Sequence, residues 1–153
     1  MDKPFNMSFT ALFTESKGQP IIYKGKELKM MDRVSLPSGN VSFKLRFVSS
    51  DSDYKQGIIL ETKGDFYINE QKIPKKIVLW EDTAPKEVLM QVKSKNKEVL
   101  IYNAWRLPNG TIHYWYNGGA LYTENQDGKI IYHCNDGFPD EDFNDLIFSV
   151  EII

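Results

Sequence analysis

Val41-Ser42-Phe43-Lys44-Leu45-Arg46-Phe47 alternates apolar and polar residues without a break. Successive side chains of an extended chain point to opposite faces. Val41, Phe43, Leu45 and Phe47 therefore share one face, and Ser42, Lys44 and Arg46 share the other. That is the pattern of a strand with one face in a core, and the same period recurs on either side of it. Val88, Met90 and Val92 repeat it, as do Leu146, Phe148, Val150 and Ile152. Toward the N-terminus, Phe5, Met7, Phe9, Ala11 and Phe13 alternate with Asn6, Ser8 and Thr10, which predicts an extended first segment. Less regular strands are predicted at 20–23, 28–34, 57–62, 65–68, 76–81, 98–106, 111–117, 120–123 and 129–134.

Tight-turn chemistry separates these segments. Pro37-Ser38-Gly39-Asn40, Pro108-Asn109-Gly110, Asn117-Gly118-Gly119 and Asp127-Gly128 supply residues that tolerate positive φ. No window supports a long amphipathic helix. About ten short strands punctuated in this way predict one all-β domain, an antiparallel β-sandwich of jelly-roll-like character. A chain of 153 residues has room for a single proper core.

Charge is unevenly distributed. Residues 130–153 carry six acids and no Lys or Arg, whereas residues 1–129 carry nineteen bases against fifteen acids. A net charge of −2 gives no general attraction to nucleic acid, so none is expected as a partner. Two basic clusters, Lys72/Lys75/Lys76 and Lys93/Lys95/Lys97, read first as the solvent faces of strands. The N-terminus lacks the apolar core of a signal peptide, and no apolar run reaches the roughly 20 residues of a membrane span. As written the chain is expected to be cytoplasmic, or extracellular if a leader has been removed.

Five carboxylates fall within ten residues in Asp136-Gly137-Phe138-Pro139-Asp140-Glu141-Asp142-Phe143-Asn144-Asp145. Calcium takes six to eight oxygens from carboxylates, amides, carbonyls and water. Asp140, Asp142 and Asn144 occupy alternate positions, so an extended loop would aim them the same way, with Asp136 and Asp145 flanking. Phe143 would point oppositely and anchor the loop to the core. The order is not that of an EF-hand. The alternative is a solvated loop whose Asp and Asn side chains cap turns without metal. Asp51 and Asp53, after the Val41–Phe47 strand, are a second place from which a ligand could come.

The ending Asp140-Glu141-Asp142-Phe143-Asn144-Asp145-Leu146-Ile147-Phe148 resembles the D-x-D-F-N-D-hydrophobic-x-F signature that closes a group of bacterial β-sandwich domains of otherwise unknown function. Those domains occur on surface or secreted proteins and are associated with calcium. The resemblance is confined to about the last fifteen residues, and the acidic run here follows Asp136-Gly137-Phe138-Pro139 rather than a longer Gly-rich stretch. It implies calcium as the cofactor and Asp140, Asp142, Asn144 and Asp145 as ligands.

Other chemistry is sparse. His113 and His133 lie in neighbouring predicted strands and could face one another across a ladder, although a structural role beside a Tyr or a carbonyl is the simpler reading. Cys134, the lone cysteine, reads as a buried inert thiol. Glu61, Glu81 and Glu124 are the carboxylates available to a glycoside-type hydrolase, which would need two of them paired. Aromatic residues gather at Trp105, Tyr114, Trp115 and Tyr116, next to Asn117. Rings exposed beside amides would suit a carbohydrate- or cell-surface-recognition domain, with a glycan or protein ligand. The leading expectation is a calcium-binding, non-enzymatic binding or structural module. Sugar recognition and hydrolysis are the alternatives, and the oligomeric state is left open.

Overall fold

Eleven strands and one short helix make up the described parts of the computed structural model, which are residues 9–115, 119–137 and 142–153. The strands are β1 (Ile21–Tyr23), β2 (Lys26–Leu28), β3 (Asp32–Ser35), β4 (Asn40–Ser50), β5 (Lys55–Ile68), β6 (Gln71–Trp80), β7 (Glu87–Arg106), β8 (Ile112–His113), β9 (Ala120–Gln126), β10 (Lys129–Asn135) and β11 (Leu146–Ile152). All the pairings are antiparallel, and the protein is all-β and sandwich-like, as the period-two pattern requires. Among the described residues no helix is long and apolar enough to cross a membrane.

Nine strands form one sheet in the order β6-β5-β7-β4-β11-β10-β9, with β3 and β8 also paired to β7. The 20-residue β7 explains how one sheet encloses a core. Its first half, Glu87–Lys93, pairs with β4, while Glu98–Ile101 pairs with β3 on the same edge. β5 follows the other edge from Gln91 to Arg106, with a register shift between Thr62 and Gly64. Strands that bend at bulges and change partners turn the corner of a sandwich. Hydrogen bonds then cross the core. Tyr132 on β10 donates to Asp32 of β3 at 2.7 Å, and Asn103 on β7 donates to the Asn135 carbonyl of β10 at 2.8 Å.

The alternating residues behave as read: Val41, Phe43, Leu45 and Phe47 are all buried, as are Val88, Met90 and Val92. Three expectations need correction. Strands predicted separately at 57–62 and 65–68, and at 88–92 and 98–106, are single long strands, because the polar residues between them sit in bulges and not in loops. The strand predicted at 111–117 reduces to Ile112–His113, with Trp115 at φ 53; residues 116 and 117 lie outside the described residues.

The predicted N-terminal strand is also overturned over its described part: Phe9–Glu15 is an α-helix, α1. Phe9 and Phe13 are four residues apart, so they share a face in a helix as well as in a strand, and the adjacent Leu12 breaks the alternation. The helix ends where Ser16 N–H reaches the Leu12 carbonyl at 3.0 Å and Gly18, at φ 79, closes back on the Phe13 carbonyl at 2.8 Å. Its apolar face packs in a second, smaller core of Phe9, Phe13, Leu28, Ala120 and Phe143.

Candidate functional site

β10 delivers Asn135 and Asp136 into the start of the acidic loop, and Asp145 stands immediately before β11. Because β10 and β11 are paired up to Cys134 and Leu146, the two ends of the loop are held close together. Two hydrogen bonds clasp them. Asn135 Oδ1 accepts the Phe143 N–H at 2.9 Å, and Asp145 Oδ2 accepts the Asp136 N–H at 2.9 Å. Asp136 is fully buried and Asp145 is 3% exposed.

A third segment closes over them. The Asp51 N–H donates to the Asp145 carbonyl at 3.1 Å, and the Ser52 hydroxyl donates to Asp136 Oδ2. Gln56, fully buried at the start of β5, donates through Nε2 to the same Asp136 oxygen at 3.3 Å and to the Tyr54 carbonyl at 3.0 Å. With Nε2 placed by two acceptors, the amide orientation is fixed, and Gln56 Oε1 is an acceptor beside Asp136. This oxygen is buried with no hydrogen-bond partner among the described residues, as is Asn135 Nδ2. Glu81 holds the segment from outside by accepting the Gln56 N–H and the Ser50 hydroxyl, each at 2.6 Å.

The predicted ligands thus divide. Asp136 and Asp145 come together on the buried side, Asn144 is half-buried, Asp142 faces solvent, and Asp140 lies outside the described residues. Phe143 is buried at φ 55 against Phe9 (6.0 Å between ring centres) and Tyr122 (5.4 Å), so it anchors the loop. From the second acidic loop it is Ser52 whose side chain reaches the site, while Asp51 and Asp53 are both exposed. Ser52, Gln56 and Asn135 escaped the sequence reading. Only Asn135, next to Asp136 at a strand end, carried any signal of its position. Among the described residues no group of three or more His, Cys, Asp and Glu side chains is placed to hold a metal ion.

Under the loop lies Trp105, 1% exposed, with the Gly137 backbone against its indole; a Cβ at Gly137 would stand 3.3 Å from the ring. Trp105 is therefore a core residue and not a platform for a sugar. Trp115 packs on Tyr102 at 4.7 Å, and Tyr114 alone of the described candidates is substantially open, at 41%. Tyr116 and Asn117 lie outside the described residues.

The two histidines do not face one another. His113 on β8 stacks on Trp105, whereas His133 on β10 stacks on Tyr122 at 4.5 Å and meets Glu124 at 2.7 Å. Glu61 accepts the Tyr102 hydroxyl at 2.5 Å, so Glu61, Glu81 and Glu124 each serve a different partner. Cys134 is fully buried, and burial, aided by Asp145, pushes its thiol well above the ordinary range, so it stays protonated and unreactive.

No protein-family model matches the chain, and no curated protein or solved structure shows a significant similarity to it.

Proposed function

We propose that the chain is a calcium-binding, non-enzymatic structural or binding module whose ion is held by the C-terminal acidic loop. The observation that carries the reading is the buried pair Asp136 and Asp145, the Asp145 carboxylate accepting the Asp136 backbone N–H, with Gln56 Oε1, which has no partner among the described residues, alongside. Two carboxylates withdrawn from water repel one another and lose hydration, and a cation offsets both costs. The nearby donors are hard oxygens, and the one sulfur, Cys134, is not a thiolate. That chemistry suits calcium rather than zinc. Asp136, Asp145 and Gln56 would supply the inner side of the site. Asp140, Asp142 and Asn144, which the resemblance implies, would supply the outer side.

The role that follows is mechanical. Asp145 is joined directly to β11, so an ion on its carboxylate would fix the start of the last strand and the closure of the sandwich. Scanning calorimetry tests this. An ion that binds only the folded state stabilises by RT ln(1 + [L]/Kd), about 2.7 kcal/mol at 100-fold excess, enough to raise Tm by several degrees. Calcium should produce that rise, EDTA should reverse it, and magnesium should do less, because it requires tighter octahedral contacts. An unchanged Tm in millimolar calcium would leave the loop as a turn-capping structure.

A further inference from the structure

Where β5 and β7 bulge, a groove of about 760 Å³ opens, and Lys63, Lys75 and Lys95 line it together with Arg33, Glu61 and Glu98. One lysine from each of the two basic clusters, Lys75 and Lys95, lines it, with Lys63 beside them. Between Thr62↔Val99 and Gly64↔Ser94, β5 contributes only Lys63 while β7 contributes Lys95 to Glu98, so the ladder opens there. On the other edge, Glu61↔Lys76 gives way to Asp65↔Pro74 around Lys75, which has φ 66. Gly64 permits the close crossing, because a Cβ there would lie 1.8 Å from the Lys93 carbonyl oxygen. Left-handed backbone at a lysine costs free energy, and at Lys75 it falls where the β5–β6 register shifts beside the groove.

The carboxylates of the groove are engaged. Glu98 pairs with Arg33 at 2.7 Å, Glu61 accepts the Tyr102 hydroxyl, and Asp65 faces Lys72 at 3.9 Å. Lys63, Lys75 and Lys95 are exposed, with no carboxylate in salt-bridge reach among the described residues. We propose that this groove binds a small polyanion bearing two or more phosphoryl groups. Ammonium groups act as point charges that suit dispersed phosphate oxygens, whereas a planar carboxylate is best met by a guanidinium fork, and Arg33 is committed to Glu98. The volume is that of a small-ligand site. A chain of net charge −2 repels a long polyanion, and with a screening length of about 8 Å only a ligand lying within the groove gains from the lysines.

The test is calorimetric titration of the full chain with inorganic tripolyphosphate, and separately with ATP, at low salt in EDTA. Keeping calcium absent makes the result independent of the acidic loop. Saturable one-to-one binding is expected, weakening as sodium chloride is raised. The combined Lys63→Gln, Lys75→Asn and Lys95→Gln substitutions, with Asn chosen because it tolerates positive φ, should weaken it about tenfold or more, equivalent to at least about 1.4 kcal/mol. Lys129→Gln, in the β9–β10 hairpin, should leave it unchanged. Should the triple variant fold poorly, amide shifts of the wild type on adding tripolyphosphate should fall at residues 61–65, 75 and 95–98. Binding of tripolyphosphate alone assigns the ligand to inorganic phosphates, and tighter binding of ATP assigns it to nucleotides. The proposal is overturned by no saturable binding at millimolar ligand, by affinity unchanged in the triple variant, by shifts elsewhere, or by a single-stranded oligonucleotide that binds more tightly through the same lysines.

Discussion

The Asp136 N–H donates to Oδ2 of Asp145 across nine residues of sequence, so one acidic residue of the loop holds the other in place. That relationship gives Asp145 two separable roles, as a hydrogen-bond acceptor and as a charge. Asp145→Asn keeps an acceptor oxygen and removes the repulsion. In EDTA it should match or slightly exceed wild-type stability, yet it should show no calcium-dependent rise in Tm. Asp145→Ala leaves the buried N–H unpaired and should cost about 1–3 kcal/mol with or without calcium, read from urea unfolding.

Phe143 connects the loop to the helix. Phe143→Ala should destabilise the protein by about 3 kcal/mol, the low end for a buried phenylalanine. Amide exchange should accelerate first in Phe9–Glu15, because Phe9 loses the ring it packs on. Protection of the helix equal to wild type would show that α1 is held by Leu28 and Ala120 without Phe143.

Alkaline pH should unfold the chain. Burial holds both the Tyr132 phenol and the Cys134 thiol above their ordinary values, with Asp32 adding to the first and Asp145 to the second. Above about pH 9–10 the unfolded chain releases these protons and the folded chain retains them. The unfolded state then binds fewer protons, so stability is flat below that window and falls above it, by up to about 1.4 kcal/mol per pH unit for each group. Tyr132→Phe should make the decline in Tm between about pH 9 and 11 shallower. An unchanged slope would contradict this assignment.

Gly64→Ala should be among the most damaging single substitutions, since its methyl would meet the Lys93 backbone. A loss of about 3 kcal/mol or more is expected, at the upper end of overpacking penalties. Gly110→Ala, where φ is 89 but the space is open, should cost about 1 kcal/mol. Equal effects at the two positions would mean that strain in φ dominates and the crossing of β5 and β7 is slack.

The fold was legible because alternation is a direct reading of which face is buried, and Val41–Phe47 or Leu146–Ile152 could not be satisfied in any other way. Boundaries were not legible where polar residues interrupt a strand that continues through a bulge, as at Lys93–Glu98. Phe9 and Phe13 fit either period, so only the tertiary core decided for a helix. At the site, Asp136, Asp145 and Phe143 stood out from charge density and alternation. Ser52 and Gln56 did not, because they arrive from a segment about 80 residues away, and nothing local distinguishes a glutamine that will be fully buried.

The central claim is tested most directly by terbium luminescence, since terbium replaces calcium on hard oxygens and the Trp105 indole lies against Gly137 within the loop. Excitation of tryptophan should sensitise emission that saturates at one ion per chain and is quenched by competing calcium. In a chain carrying both Asp136→Asn and Asp145→Asn it should be absent while the far-ultraviolet circular dichroism stays that of the wild type. No sensitised emission, or emission that persists when both carboxylates are neutralised, would contradict a calcium site in this loop.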